Sequence, residues 1–328
     1  MNTIKRIVIS RTDSIGDVAL TLPLAGILKE QYPEIKVIFL GQGYTEPIIR
    51  CCAYVDEIWK WDEIEKNPNK TEWLKEQKVD AFIHVFPRKE IAKWVKKAKV
   101  KNRIGTSHRL FHFLTCNKRV NFTRKNSDLH EAQLNTKLLL PIVGYSAELS
   151  LDKLYELAGF SSPKPTDNPV YDLLNKEKID VILHAKSQGS AIEWGVESFI
   201  ELAKALPANQ FNIFFTGTEK EGKLFRERIP SGNHIHDLTG KMTLSELITF
   251  ICKADALVAA STGPLHIAGL LDKLTVGLFA PQKPIHPGRW RPLGNKVEIL
   301  EAKKIASPTQ PLNISVRDVV QRVEKLTS

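Results

Sequence analysis

The sequence predicts an α/β protein of two domains in tandem, each a parallel sheet with helices on both faces. Three observations point there. Apolar, β-rich runs alternate with stretches of helical periodicity. The alternation stops once, in "FSSPKPTDNPV" (160–170), which holds three prolines and no periodicity, and then restarts. The chain of 328 residues, 42% of them hydrophobic, is long enough for two separate cores.

Taken in order, "IKRIVIS" (4–10) reads as a buried first strand. Its apolar run is short and no small-residue cleavage site follows, which argues against a signal peptide. A helix runs from there to about Lys29, with Pro23 inside it. Strands are expected at 36–41, 55–61 and 79–85, a helix over "IAKWVKKAKV" (91–100), and extended chain again at 102–106. Residues 129–144 have helical spacing at Leu134, Leu138 and Leu139, with Gly144 at the end. After the Pro-rich segment, strands are expected at 180–185, 211–217, 234–240, 256–260 and 275–280. Helices fall at 196–206, up to about Arg228, and at 244–254, 264–273 and 314–326. The boundaries implied are a first domain over 1–160, a linker over 161–170 and a second domain over 171–328, the last helix being free to pack back on the first domain. In open α/β sheets ligands bind beyond the carboxyl ends of the strands, so two such domains facing each other would put a site in the cleft between them.

Charge is uneven. The net charge is +10, of which +8 lies in residues 1–165 and +2 in 166–328. Residues 88–125 carry thirteen Lys and Arg against one acid, Glu90. Such a patch suits an anionic partner: nucleic acid, acidic lipid, or a phosphorylated or carboxylated substrate. No apolar run approaches the ~20 residues that a membrane-spanning helix needs. Cys51, Cys52, Cys116 and Cys252 show no CxxC spacing and read as small buried residues in a reducing cytoplasm. No metal is expected, because HExxH, paired CxxC and clustered DxD patterns are absent. GxGxxG and GxxxxGK[ST] are absent too, which argues against dinucleotide redox chemistry and P-loop hydrolysis.

Four stretches could carry chemistry. "RTDSIGD" (11–17) puts an arginine, two carboxylates and a glycine where the first strand turns into the first helix. Asp17, in the first helical turn, is accounted for by the helix dipole. "LHAKSQGSAIEWG" (183–195) follows a strand with Lys186, Ser187 and small residues able to cradle a diphosphate, and its Trp194 reads as a packing anchor. "TGTEKE" (216–221) ends a strand with acids beyond the turn, where a carboxylate such as Glu221 can hold ribose hydroxyls. "AASTGPLHIAG" (259–269) ends a strand at Ser261-Thr262-Gly263-Pro264 before a helix. Pro264 suits a first helical turn, Ser261 or Thr262 can cap, Gly263 admits a ligand to the backbone, and the free N–H groups make an anion site. His266, one turn in, is either a satisfied helix histidine or a phosphate donor.

These stretches and their order resemble glycosyltransferase family 9, the ADP-heptose:lipopolysaccharide heptosyltransferases, over most of the chain. "RTDSIGDVALTLPLAGILKEQYP" is similar to that family's N-terminal signature, and "HAKSQGSAIEWG", "TGTEKE", "LTGKMTLSELITFICKADALVAASTGPLHIAG" and "VGLFAP" follow its C-terminal order. The resemblance implies a GT-B fold, two Rossmann-like domains facing across a cleft, with the acceptor on the first and the nucleotide-sugar on the second. It implies an inverting, metal-independent transfer without a cofactor, in which Asp13 matches the general base. Burial near the reaction would raise the pKa of such a carboxylate toward the working range. The diphosphate of the donor would lie against Lys186, Ser187, Ser261, Thr262, Gly263, Pro264 and His266, with Glu221 at the ribose. The acceptor would be an anionic glycolipid, a lipopolysaccharide core, held by Arg11 and by candidates from the basic patch: Arg103, His108, Arg109 and Arg119. The implied location is cytoplasmic, with peripheral contact at the inner membrane as an option.

Two positions depart from the family pattern. Ser261 stands where many members carry Asp, and Ile192 stands where many carry a basic residue. Both lie near the donor in the family, so a different nucleotide-hexose donor and a non-catalytic nucleotide-sugar binder stay open. A nucleic-acid-binding protein is the remaining alternative, but the chain has no RRM, KH, helix-turn-helix or zinc-finger signature.

Overall fold

The structure, a computed structural model, describes residues 4–125, 127–144, 148–164, 166–174, 177–303 and 310–327. Pro165, inside the expected linker, lies outside them. The chain divides into two compact units, Met1–Ser161 and Ser162–Ser328.

The first unit holds β1 (Arg6–Ser10), β2 (Lys36–Gly41), β3 (Glu57–Lys60), β4 (Ala81–His84), β5 (Asn102–Thr106) and β6 (Lys118–Val120). They form one sheet in the order β3-β2-β1-β4-β5-β6, every pair parallel. The second unit holds β7 (Ile179–His184), β8 (Phe211–Thr216), β9 (Ile235–Asp237), β10 (Ala256–Ala260), β11 (Leu274–Phe279) and β12 (Val297–Glu301). Its sheet runs β12-β11-β10-β7-β8-β9, again all parallel. Counted from each unit's first strand, both sheets have the doubly wound order 3-2-1-4-5-6. Central strands read as unbroken apolar runs because both faces are covered: Ile7, Val8 and Ile9 of β1 and Leu257, Val258 and Ala259 of β10 are fully buried.

One face of the first sheet packs Val8, Ile38, Leu40 and Phe82 against Trp59, Trp61 and Trp94. The core of the second gathers Val181, Leu183, Phe211, Phe215 and Val276 around Trp194 and Phe199. Trp194 is an anchor: it meets Phe199 edge-on, and its indole N–H donates to the Ile314 carbonyl at 2.8 Å. The final helix, Val316–Val323, which the sequence leaves free to pack back on the first domain, buries Val319 and Val323 in this second core.

Several elements differ from expectation for local reasons. The first helix is broken: Ile15–Ala19 stops, and Pro23 opens a second helix, Pro23–Gln31, because it has no N–H to continue the first. Gly26 of that helix lies against the helix Leu151–Leu157, where an added Cβ would stand 2.1 Å from the Leu157 carbonyl oxygen. The expected helix over 129–144 is Glu131–Thr136, a 3₁₀ turn at Lys137–Leu139 and a last turn, Leu140–Val143, closed by Gly144 with φ +81°. The helix after β8 is one turn, Glu219–Gly222. β6 and β12 carry no expectation from sequence. Both are sheet edges, paired on one side only, so nothing requires a continuous apolar run. None of the four cysteines is in a disulfide. Among the described residues no helix is long and apolar enough to cross a membrane.

The topology decides which turns matter. Strand order reverses between β1 and β4 in the first unit and between β7 and β10 in the second, and ligands bind at the carboxyl ends beside such reversals. β1 runs into Arg11–Asp17, β7 into Lys186 and Ser187, and β10 into Ser261 and Thr262.

Candidate active site

In the first unit the turn after β1 is organised by Arg11, which is buried although its charge never leaves it. Its planar fork serves three carboxylates: Nε donates to Asp13 Oδ1 at 2.8 Å, one terminal nitrogen to Glu131 Oε1 at 3.2 Å, and the other to Asp17 Oδ1. Glu131, 120 positions away in sequence and almost wholly buried, also receives Arg124, whose guanidinium bonds Asn135 Oδ1 at 3.0 Å as well. Burial acts to lower the Arg11 pKa, but Asp17, Asp13 and Glu131 outweigh it and raise it.

Asp13 responds the other way. Burial pushes its carboxyl up to about 6, with the neighbouring Asp17 charge adding to the rise and Arg11 opposing it. Its own backbone carbonyl accepts from the Tyr44 hydroxyl at 2.5 Å, and Arg88 donates to the Thr12 carbonyl at 3.2 Å. Asp17 is therefore more than a dipole residue. It competes for the Arg11 fork, accepts from the Ser14 hydroxyl and biases the titration of Asp13.

Beside this turn, buried polar atoms collect where β1 and β4 end. Ser10 Oγ, Thr12 Oγ1 and both ring nitrogens of His84 have no hydrogen-bond partner among the described residues. Ser10 and His84 are register partners across the β1–β4 reversal. Burial lowers the His84 pKa to about 3, so the ring is neutral. Orphan polar groups are costly, and a concentration of them at a strand-order reversal marks a site.

Among the described residues, the four basic-patch candidates share no hydrogen bond or ion pair with Arg11, Asp13, Asp17 or Glu131. Arg103 is spent on the backbone, donating to the Thr115 carbonyl at 2.7 Å and the Val100 carbonyl at 2.5 Å. His108 and Arg109 are exposed ahead of the short helix Leu110–Thr115, and Arg119 lies over the Phe113 ring at 4.8 Å. Glu131, Arg124, Arg88 and Tyr44 are not among the residues expected from sequence. Glu131 sits inside a helix start that capping alone explains, and Arg124 is one of thirteen cations in a run.

In the second unit the loop after β7 carries its own counter-charge. The Lys186 ammonium pairs with Glu193 Oε2, while Glu193 Oε1 accepts from the Ser187 amide at 2.8 Å and the Ser187 hydroxyl at 3.0 Å. Burial works to raise the Glu193 pKa, but these donors hold it below the usual range. Lys186, expected from sequence to help cradle a diphosphate, is thus already half of an ion pair. Glu221 is buried in a capping box: its Oε2 accepts from the Thr218 amide at 2.7 Å and hydroxyl at 2.8 Å. His184 donates to or accepts from Thr216 Oγ1 at 3.0 Å, and burial lowers its pKa.

Beyond β10, the helix Gly263–Leu270 starts with Pro264 in its first turn. Thr262 occupies the N-cap position, yet neither it nor Ser261 caps with its side chain, contrary to expectation. Thr262 is 5% exposed and its Oγ1 has no hydrogen-bond partner among the described residues. A buried free hydroxyl beside the unpaired N–H groups of a helix start fits an anionic ligand. His266 is buried one turn further on. We expect Thr262→Val to leave thermal stability unchanged or slightly raised, since it removes an unsatisfied group, while weakening nucleotide-diphosphate affinity about ten-fold. Calorimetric titration with ADP beside a melting curve checks both, and an unchanged affinity places the hydroxyl outside the phosphate site.

Among known proteins, the sequence model of glycosyltransferase family 9 (heptosyltransferase) matches residues 72–315. The chain is 23% identical over 327 residues to the lipopolysaccharide core heptosyltransferase OpsX of Haemophilus influenzae, spanning 94% of this chain and 89% of that one. It is 24% identical over 303 residues to lipopolysaccharide heptosyltransferase 3 of Escherichia coli, spanning 86% and 84%. In structure it is similar to the E. coli ADP-heptose lipopolysaccharide heptosyltransferase II, with a TM-score of 0.78 over 98% of each chain at 17% identity. That likeness concerns the fold, two Rossmann-like domains of GT-B type. The family match takes in Lys186, Glu221 and Thr262 and begins after Asp13. Since it covers well over half of the sequence, the chain belongs to glycosyltransferase family 9 and is a glycosyltransferase.

Proposed function

We propose that this protein transfers heptose from ADP-heptose to a lipopolysaccharide core acceptor, by inversion and without a metal, with Asp13 as general base. The observation that carries the reading is the Asp13 carboxyl, placed beside the strand-order reversal of the first sheet and pushed up to about 6. A base of that strength is ionised at neutral pH yet still basic enough to take a proton from an attacking hydroxyl. As the acceptor oxygen forms its bond to the anomeric carbon, its proton passes to Asp13 and the bond to the nucleotide diphosphate breaks with its electron pair.

The leaving diphosphate develops charge, and its binders are the Gly263–Leu270 helix start, the Thr262 hydroxyl and Lys186. Because Lys186 already serves Glu193, the helix start and Thr262 carry more of that role than the lysine does. Glu221 has one carboxylate oxygen committed to Thr218, and its other oxygen is the candidate ribose acceptor. The relatives' names support heptose and lipopolysaccharide as substrates. Within this reading the basic first unit binds the anionic acceptor, and the enzyme works in the cytoplasm at the inner membrane surface.

The test offers ADP-heptose and common nucleoside-diphosphate hexoses with a truncated lipid A–Kdo acceptor and follows diphosphate release, with and without EDTA. Release with ADP-heptose, unaffected by EDTA, is expected. Release only with a hexose donor overturns the donor assignment, which Ser261 and Ile192 make the point most worth testing. Binding of ADP-heptose without turnover on any acceptor instead marks a non-catalytic relative.

A further inference from the structure

The helix Leu110–Thr115 is inside out. Its polar residues His112 and Thr115 are buried, at 0% and 5% exposure, whereas Leu110, Phe113 and Leu114 are 88%, 55% and 74% exposed. Positions i, i+3 and i+4 share one helix face, so the three apolar side chains form one patch rather than scattered exposures. The inward face is fixed by polar contacts: His112 Nδ1 bonds the Thr106 carbonyl at 2.8 Å and the Thr115 hydroxyl donates to the Phe111 carbonyl at 2.7 Å. The remaining large apolar residues at the surface, such as Tyr32, Leu173 and Leu224, lie far apart in the chain.

The rim of this patch is cationic. The helix packs against Lys89–Lys97, which exposes Lys93, Lys96 and Lys97. Arg109 precedes the patch, exposed, and Arg119 lies over the Phe113 ring. Among the described residues none of these five cations is in an ion pair. Exposed leucine and phenylalanine beside a lysine-bearing helix and two exposed arginines is the composition of segments that lie in a bilayer interface, where apolar side chains enter the acyl boundary and lysine stems reach up to phosphates. Protein interfaces, by contrast, are depleted in lysine, and a nucleic acid offers nothing to exposed leucines.

We propose that this face docks on an anionic lipid bilayer, with Leu110, Phe113 and Leu114 inserted at the headgroup boundary and Lys93, Lys96 and Lys97 on lipid phosphates. This deepens the reading of the basic first unit as the side that meets a glycolipid, and it places the enzyme where such an acceptor is embedded. Docking itself does not depend on the transfer reaction.

Co-sedimentation of the full chain with phosphatidylglycerol-containing vesicles and with pure phosphatidylcholine vesicles tests it. Binding is expected to the first, weakly to the second, and to fall as salt rises. The double variant Leu110→Ser/Leu114→Ser loses about ten-fold or more in partitioning, since two exposed leucines no longer leave water. It keeps the wild-type circular dichroism spectrum and turns over a short, water-soluble acceptor glycan within about two-fold of wild type. Wild-type failure to bind anionic vesicles, or equal binding by the double variant, overturns the proposal. So does a wild-type dimer that the double variant converts to monomer in analytical ultracentrifugation, which assigns the face to a second copy. Failure of the soluble-acceptor assay in both proteins, with vesicle binding intact, rejects the transfer reading alone.

Discussion

Replacing Asp13 with Asn is expected to lower kcat by about two to four orders of magnitude, the range a positioned general base supplies. Donor affinity should change little, because Asp13 belongs to the turn after β1 and the diphosphate-binding candidates belong to the second unit. In the wild type, kcat/KM should rise with pH and level off above an apparent pKa near 6, since the base must be ionised and burial, with Asp17 nearby, raises that pKa. The same shift makes a stability prediction of opposite sign. The folded-state pKa lies above the unfolded value of 3.8, so between roughly pH 4 and 6 the folded protein holds more protons than the unfolded one. The stability contributed by Asp13 is therefore present at low pH and lost as pH rises through about 6. At pH 7.5 Asp13→Asn should melt at the wild-type temperature or a few degrees higher while being nearly inactive. Equal activity of the two proteins would falsify the base assignment, and a large drop in melting temperature would show a mainly structural role.

Arg11→Ala should be the most destabilising single change at this turn, costing about 3–5 kcal/mol, because it leaves buried carboxylates without their counter-charge. Three acceptors, Asp13, Asp17 and Glu131, converge on the one guanidinium, and Arg124 reaches only Glu131 of the three. Arg11→Lys is expected to rescue little, since a point charge cannot reproduce three bonds from one planar fork. The loss should be greatest at neutral and alkaline pH and smaller near pH 5, where Asp13, its carboxyl already pushed up by burial, takes up a proton. Urea titrations at two pH values measure this. In any variant that folds, the kcat/KM profile should shift to higher pH, because Arg11 is what opposes the rise of the Asp13 pKa. A cost below about 1 kcal/mol would mean that the cluster behaves as an exposed pair.

The two domains, the central strands and the four strand-end stretches were legible in the sequence because each has a local cause. Strands buried on both faces need continuous apolar runs, and β1, β4, β7 and β10 have them. Helix starts need Pro or capping residues, and Pro264 and Thr218 supply them. Elements without a local cause went unread: edge strands β6 and β12, and the break before Pro23 that divides the first helix.

What the sequence determined by itself is therefore the alternation of central strands with helices and the identity of Asp13, Lys186, Glu221 and Thr262 as residues of the turns and helix starts that follow strands. What only the tertiary structure decided is what surrounds them. Glu131 reaches Arg11 across 120 positions, burial pushes the Asp13 carboxyl up, and the Thr262 hydroxyl lies in the interior with no hydrogen-bond partner among the described residues. A pKa and a free hydrogen-bonding group are set by burial and by neighbours within a few ångströms, and neighbours that close are chosen by the fold, not by their spacing along the chain.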